Sequence, residues 1–112
     1  MSDVIPKSGY IGNAQFAFIN PAVGGDTQIV AAATGRRIRV VSLLVVTTLA
    51  NSVHLRSSAT PILATLPLAA NGGVALPLNE YGYCETAVGE ALSVNMTVAT
   101  ATGVQVVYCL VG

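Results

Sequence analysis

Charge is what this chain has least of. Lys, Arg, Asp and Glu together make 9% of its 112 residues, five basic and five acidic, for a net charge of zero; a soluble domain usually carries about 25%. A neutral chain has no electrostatic footprint for a nucleic-acid backbone or an anionic membrane surface, so neither partner is expected. Tryptophan is absent, His54 is the sole histidine, and Cys84 and Cys109 are the only cysteines. One histidine without a CxxC spacing rules out a tetrahedral zinc site built within a single chain. The N-terminus carries Asp3, Pro6 and Lys7 with no apolar segment, which predicts no export signal. Cys84 and Cys109 are therefore expected as packed thiols, not a disulfide.

Long helical or membrane-spanning runs are lacking too. Residues 57–79 and 91–112 are uncharged and nominally long enough to cross a bilayer. The first is broken by Pro61, Pro67, Pro77 and Asn71-Gly72-Gly73, and the second alternates Leu92, Val94, Met96 and Val98 with Ser93, Asn95 and Thr97. Neither reads as a spanning helix.

What is present is β periodicity. Hydrophobic residues make 53% of the chain and fall into short runs of Val, Ile, Leu and Thr, with Gly, Pro or Asn breaks every eight to twelve residues. That rhythm predicts an all-β antiparallel sandwich of about eight strands in one domain, residues 14–112, after an extended N-terminal arm, residues 1–13. Strands are expected near 14–19, 27–33, 38–48, 52–57, 62–66, 73–78, 91–100 and 103–111. The last two read as a hairpin, with Leu92, Val94, Met96 and Val98 on one face and Val104, Val106, Tyr108 and Leu110 returning beside them.

Two strands are apolar on both sides. Val41, Leu43 and Val45 alternate with Val40, Leu44 and Val46, and the 103–111 strand has Val107, Cys109 and Val111 behind its core face. A small sandwich wets one face of each sheet, so this surplus predicts a homo-oligomer, a trimer being the expected form. The arm combines the breakers Pro6, Gly9 and Gly12 with apolar anchors Val4, Ile5, Tyr10 and Ile11, which suit docking on a neighbour.

Candidate chemistry is thin. His54 lies between Val53 and Leu55 with no nucleophile or orienting acid at a telling spacing. Glu80, Glu85 and Glu90 recur every five residues, without the alternating Asp and Asn of a calcium loop or the cleft of a glycosidase. Gly24-Gly25 and Gly72-Gly73 lack the helix and Lys-Ser/Thr of a phosphate loop. No enzyme activity, metal or other cofactor is expected. Arg36, Arg37, Arg39 and Arg56 precede the three glutamates in the chain, and two readings stand: a solvated strand edge with an acidic loop, or charges that meet across a subunit boundary.

From Thr34 onward the runs TGRRIRVVSLLV, LPLAANGGVALPLNEYGYCETAVGEALSV and VVYCLV resemble small virion proteins of tailed bacteriophages. The matching features are Gly35 to Arg39 before a core strand, Pro67 to Gly73, and Tyr83 ahead of Glu85 to Leu92. The resemblance implies a jelly-roll-like sandwich that decorates or cements the head, often as a trimer. It also implies the major capsid protein as partner, synthesis in the host cytoplasm and a final place on the capsid surface. A tail or fibre component, or a sugar-binding adhesin module using Tyr81 and Tyr83, is the alternative. It transfers no catalytic residues.

Overall fold

The computed structural model describes residues 14–112. The expected arm, with Val4, Ile5, Tyr10 and Ile11, lies outside the described residues. Among the described residues ten β-strands and no helix are formed: β1 (Gln15–Ile19), β2 (Gly25–Val30), β3 (Arg37–Thr47), β4 (Asn51–Ser57), β5 (Thr60–Pro61), β6 (Leu66–Leu68), β7 (Gly73–Leu76), β8 (Cys84–Glu85), β9 (Leu92–Met96) and β10 (Thr102–Val111). All pairings are antiparallel. One sheet runs β1-β10-β3-β7 with β8 also on β3; the other runs β2-β9-β4-β5 with β6 also on β4.

The ten strands fill eight positions. β7 and β8 run along the same side of β3, opposite residues 43–46 and then 39–40. β5 and β6 share one side of β4 in the same way. From position to position the chain crosses between sheets at every connection except that from β4 to β5/β6, so that each sheet interleaves early and late strands, which is a jelly roll. Val40, Leu43, Val45, Val53, Leu55, Leu92, Val94, Met96, Val104 and Val106 are all but completely buried between the sheets. Each such side chain contributes roughly 1.5–3 kcal/mol by leaving water.

Three sequence expectations need correction. The 92–98 and 103–111 runs do not form a hairpin: β9 belongs to one sheet and β10 to the other, and their apolar sides face each other across the core. Period-two alternation is the same in both arrangements, because each strand merely needs one dry face. Residues 62–65 form no strand; the expected single element is split into β5 and β6, with Pro61 and Pro67 on the open side of β4. Finally, β3 contains a bulge. Val107 pairs with Ser42 but Tyr108 with Val40, so Val41 is the extra residue. This switches the parity and brings Val40 onto the core face with Leu43 and Val45, leaving Leu44 and Val46 outside.

Candidate interaction surfaces

The two outer faces of the sandwich differ in kind. On the β2-β9-β4 sheet, Asp26, Asn95 and His54 occupy one row and Gln28, Ser93 and Arg56 the next. Asn95 Nδ2 donates to Asp26 Oδ1 at 2.8 Å, Arg56 Nη1 donates to Asp26 Oδ2 at 3.2 Å, and Arg56 Nε donates to His54 Nε2 at 3.1 Å. His54 is thus an acceptor in a surface polar network. Its neighbours Val53 and Leu55 point into the core, so alternation alone puts it outside.

The outer face of the β1-β10-β3-β7 sheet is apolar where β3 pairs with β7, and carries the Arg39–Glu85 pair where β3 pairs with β8. Phe18, Gln105, Leu44 and Ala75 form one row, and Phe16, Val107 and Ser42 the next. Phe16 is 73% exposed, Phe18 72%, Leu44 42% and Val46 49%. Gly103 lowers the floor between Phe18 and Val46, giving a shallow groove without an ionisable group. Monomers seldom leave contiguous apolar patches of this sort in water, and those present usually mark a contact.

The segregated charges find partners inside one chain. Arg39 Nε lies 2.7 Å from Glu85 Oε2 across the β3-β8 ladder, Arg37 Nη1 lies 4.0 Å from Glu85 Oε1, and Arg56 pairs with Asp26. Arg36 Nη1 donates to the Leu110 carbonyl at 3.5 Å. Glu90 accepts from Ser57 Oγ at 2.5 Å, and that hydroxyl in turn takes the Ala87 N–H. Glu80 is exposed. Glu85 therefore sits against one sheet and Glu90 against the other, so the three glutamates do not converge. Among the described residues no group of three or more His, Cys, Asp and Glu side chains is placed to hold a metal ion, and no helix is long and apolar enough to cross a membrane.

Tyr81 and Tyr83 have different settings. Tyr83 donates its hydroxyl to the Pro77 carbonyl at 2.6 Å and its N–H to Val40, closing the 77–83 loop on itself, while Tyr81 is 84% exposed at the tip. Gly82 sits at φ +84°, and a Cβ there would lie 2.6 Å from Arg39 Cγ, so the loop lies tightly against β3. Sequence reading also missed Asn51, a buried side chain that fastens residues 97 and 98.

Cys84 and Cys109 are free, and the register shows why. Cys84 lies opposite Val40, which faces the core, and Cys109 opposite Arg39, which faces out, so the thiols project from opposite sides of one sheet. Burial, aided by the Glu85 charge, pushes the Cys84 thiol up to about 11 from its ordinary 9.0. Burial also raises Cys109, with Glu85 adding and Arg39 opposing. Both are protonated at neutral pH and poor nucleophiles. Native protein is expected to react slowly with a thiol reagent at pH 8. Unfolded chain releases the Cys84 proton near 9 and native chain only near 11, so stability falls as pH rises between those values, by on the order of 2 kcal/mol. A pH series of urea melts on the wild type and on Cys84→Ala checks this: the variant should lose that part of the alkaline slope, and an unchanged slope would contradict the assignment.

Taken as a class, the molecule is a jelly-roll-like sandwich of two antiparallel sheets, with an exposed apolar patch on one outer face and a polar network on the other. Comparison with family models, with curated proteins and with solved structures yielded no match.

Proposed function

We propose that this chain is a structural virion protein of a tailed bacteriophage, a decoration or cement protein that binds the head surface and stabilises it. The partners are the major capsid protein and further copies of the same chain. The observation that carries the reading is the asymmetry of the faces: Phe16, Phe18, Leu44 and Val46 stand exposed on one sheet, while Asp26, His54, Arg56 and Asn95 satisfy one another on the other. An uncharged apolar patch on a β surface suits a permanent protein contact in which burial of apolar area supplies the attraction. The resemblance of residues from Thr34 onward to small phage virion proteins agrees with that use.

Leu44 and Val46 project outward from β3, a strand with neighbours on both sides, so replacing them with lysine adds charge to the dry face without touching the core. Leu44→Lys/Val46→Lys is expected to fold normally and to lose binding to heads of the parent phage assembled without this chain, by about 100-fold or more. Sedimentation of the labelled protein with such heads measures it. Undiminished binding by the double variant, or no binding by the wild type, would remove the reading.

A further inference from the structure

A sandwich of two open sheets has four edges, and they are not treated alike. The β7/β8 edge is interrupted by the 77–83 loop with Pro77. The β5/β6 edge carries Pro61 and Pro67 and a gap between them. The β2 edge has the charge of Asp26 and a register shift between Gln28 and Val30. Proline, charge and bulges are the devices that stop an edge from recruiting another strand. β1 has none of them. Its five residues pair with β10 in unbroken register, it contains no Pro and no charge, and among the described residues no strand lies on its other side.

Its central three residues are also symmetric about Ala17. In Gln15-Phe16-Ala17-Phe18-Ile19, the two phenylalanines flank Ala17 and share the outer face, whereas Ala17 and Ile19 pack inward. We propose that β1 pairs with β1 of a second copy, antiparallel about a two-fold axis through Ala17. In that register Phe16 of each copy stands opposite Phe18 of the other, on the same face, at the ~5 Å Cβ spacing of directly opposed residues. An isologous contact requires a self-complementary patch, and a charged edge would repel its own copy. A neutral edge with centred aromatic pairs meets both conditions. The product is one continuous sheet across two sandwiches, which doubles the dry outer face. The pairing rests on the reading of this chain as a self-assembling protein, and gives a two-fold contact in place of the trimer expected from sequence.

A contact of one strand and two aromatic pairs is at the small end of specific interfaces, so the dimer is expected at protein concentrations of about 100 μM and to dissociate on dilution. Light scattering on the full chain reads the mass. Phe16→Lys/Phe18→Lys should be monomeric. Phe16→Lys/Phe18→Glu places each introduced lysine opposite the partner's introduced glutamate and should dimerise again, now in a salt-sensitive way. Both side chains are exposed, and circular dichroism confirms folding of each variant. As a measurement independent of substitution, wild-type β1 amides should gain hydrogen-exchange protection as concentration rises. Deletion of residues 2–12 and Leu44→Lys/Val46→Lys should leave the dimer whole. A trimeric mass, a monomeric Phe16→Lys/Phe18→Glu, a dimer lost with residues 2–12, which would give the edge to that segment, or one lost with Leu44 and Val46, which would mean face-to-face packing, overturns the pairing. None of these outcomes bears on head binding, which is read separately.

Discussion

Gly73→Ala is expected to cost about 3 kcal/mol or more of folding stability, lowering the melting temperature by about 10–15 °C. Gly73 opens β7 and pairs with Val46. A Cβ on it would overlap the Val45 carbonyl oxygen and sit 3.1 Å from Val46 Cα, both backbone atoms of β3. Backbone in the middle of a sheet cannot step aside as a side-chain end can. The added methyl must push β7 off β3 and weaken a four-residue ladder that closes one edge of the sheet. Gly35→Ala is the control: Gly35 has φ +72°, and a Cβ there would meet nothing within 4 Å, so only the left-handed backbone opposes the substitution, by about 1 kcal/mol. Thermal melts of the two variants separate space from conformation, and equal losses would refute the distinction.

The same glycine illustrates how far sequence reading reached. Asn71-Gly72-Gly73 is legible as a break, but the usual reason, a need for positive φ, holds only for Asn71, at φ 55°. Gly73 is demanded by a neighbour 28 positions earlier in the chain, and close approach of that kind has no local signature. Strand existence was legible for a comparable reason in reverse. Period-two burial is local, so 37–47, 51–57 and 102–111 stand out in the sequence nearly as the strands lie. Partition between sheets is not local, and β9 and β10 look like a hairpin until their hydrogen-bond partners are known. The bulge at Val41 is equally silent, since Val, Leu and Ile on both sides of β3 mask a change of parity.

The dry face was half legible. Surplus apolar residues on β3 pointed to a contact, and Leu44 and Val46 are indeed exposed. Phe16 and Phe18 carried an available signal, because alternation within 15–19 sets both on one side of a strand. Which side faced water depended on β1 lying at an edge of the sheet, a matter of topology. The charge pairing was not legible. Arg39 and Glu85 are 46 residues apart in sequence and direct neighbours in the ladder, so separation along the chain does not show which charges meet.

Asn51→Leu is the second large effect, an expected loss of about 2–4 kcal/mol, with the branching of the side chain kept and its polar atoms replaced by bulkier methyl groups. Asn51 opens β4 and is 5% exposed. Its Oδ1 accepts the N–H groups of Ser52 at 2.9 Å, Thr97 at 3.1 Å and Val98 at 3.0 Å, and its Nδ2 donates to the Val98 carbonyl at 3.1 Å. Thr97 N–H has a second acceptor in the Ser52 carbonyl, so the groups orphaned by leucine are Ser52 N–H and both polar groups of Val98. Those of Val98 belong to the segment that carries the chain from β9 in one sheet to β10 in the other, where no ladder supplies partners. Leaving them unpaired costs their full desolvation, whereas the native amide satisfies them at once. Asn51→Asp keeps the acceptor and sets an oxygen against the Val98 carbonyl in place of the donor, so it should fall between asparagine and leucine. Loosening of the crossing should also raise proteolytic cleavage within residues 97–101 ahead of global unfolding. Denaturant melts with limited proteolysis test both parts. If Asn51→Leu melts with the wild type and is cut no faster, water serves the crossing as well as Asn51 does, and the junction between the sheets is held by the core alone.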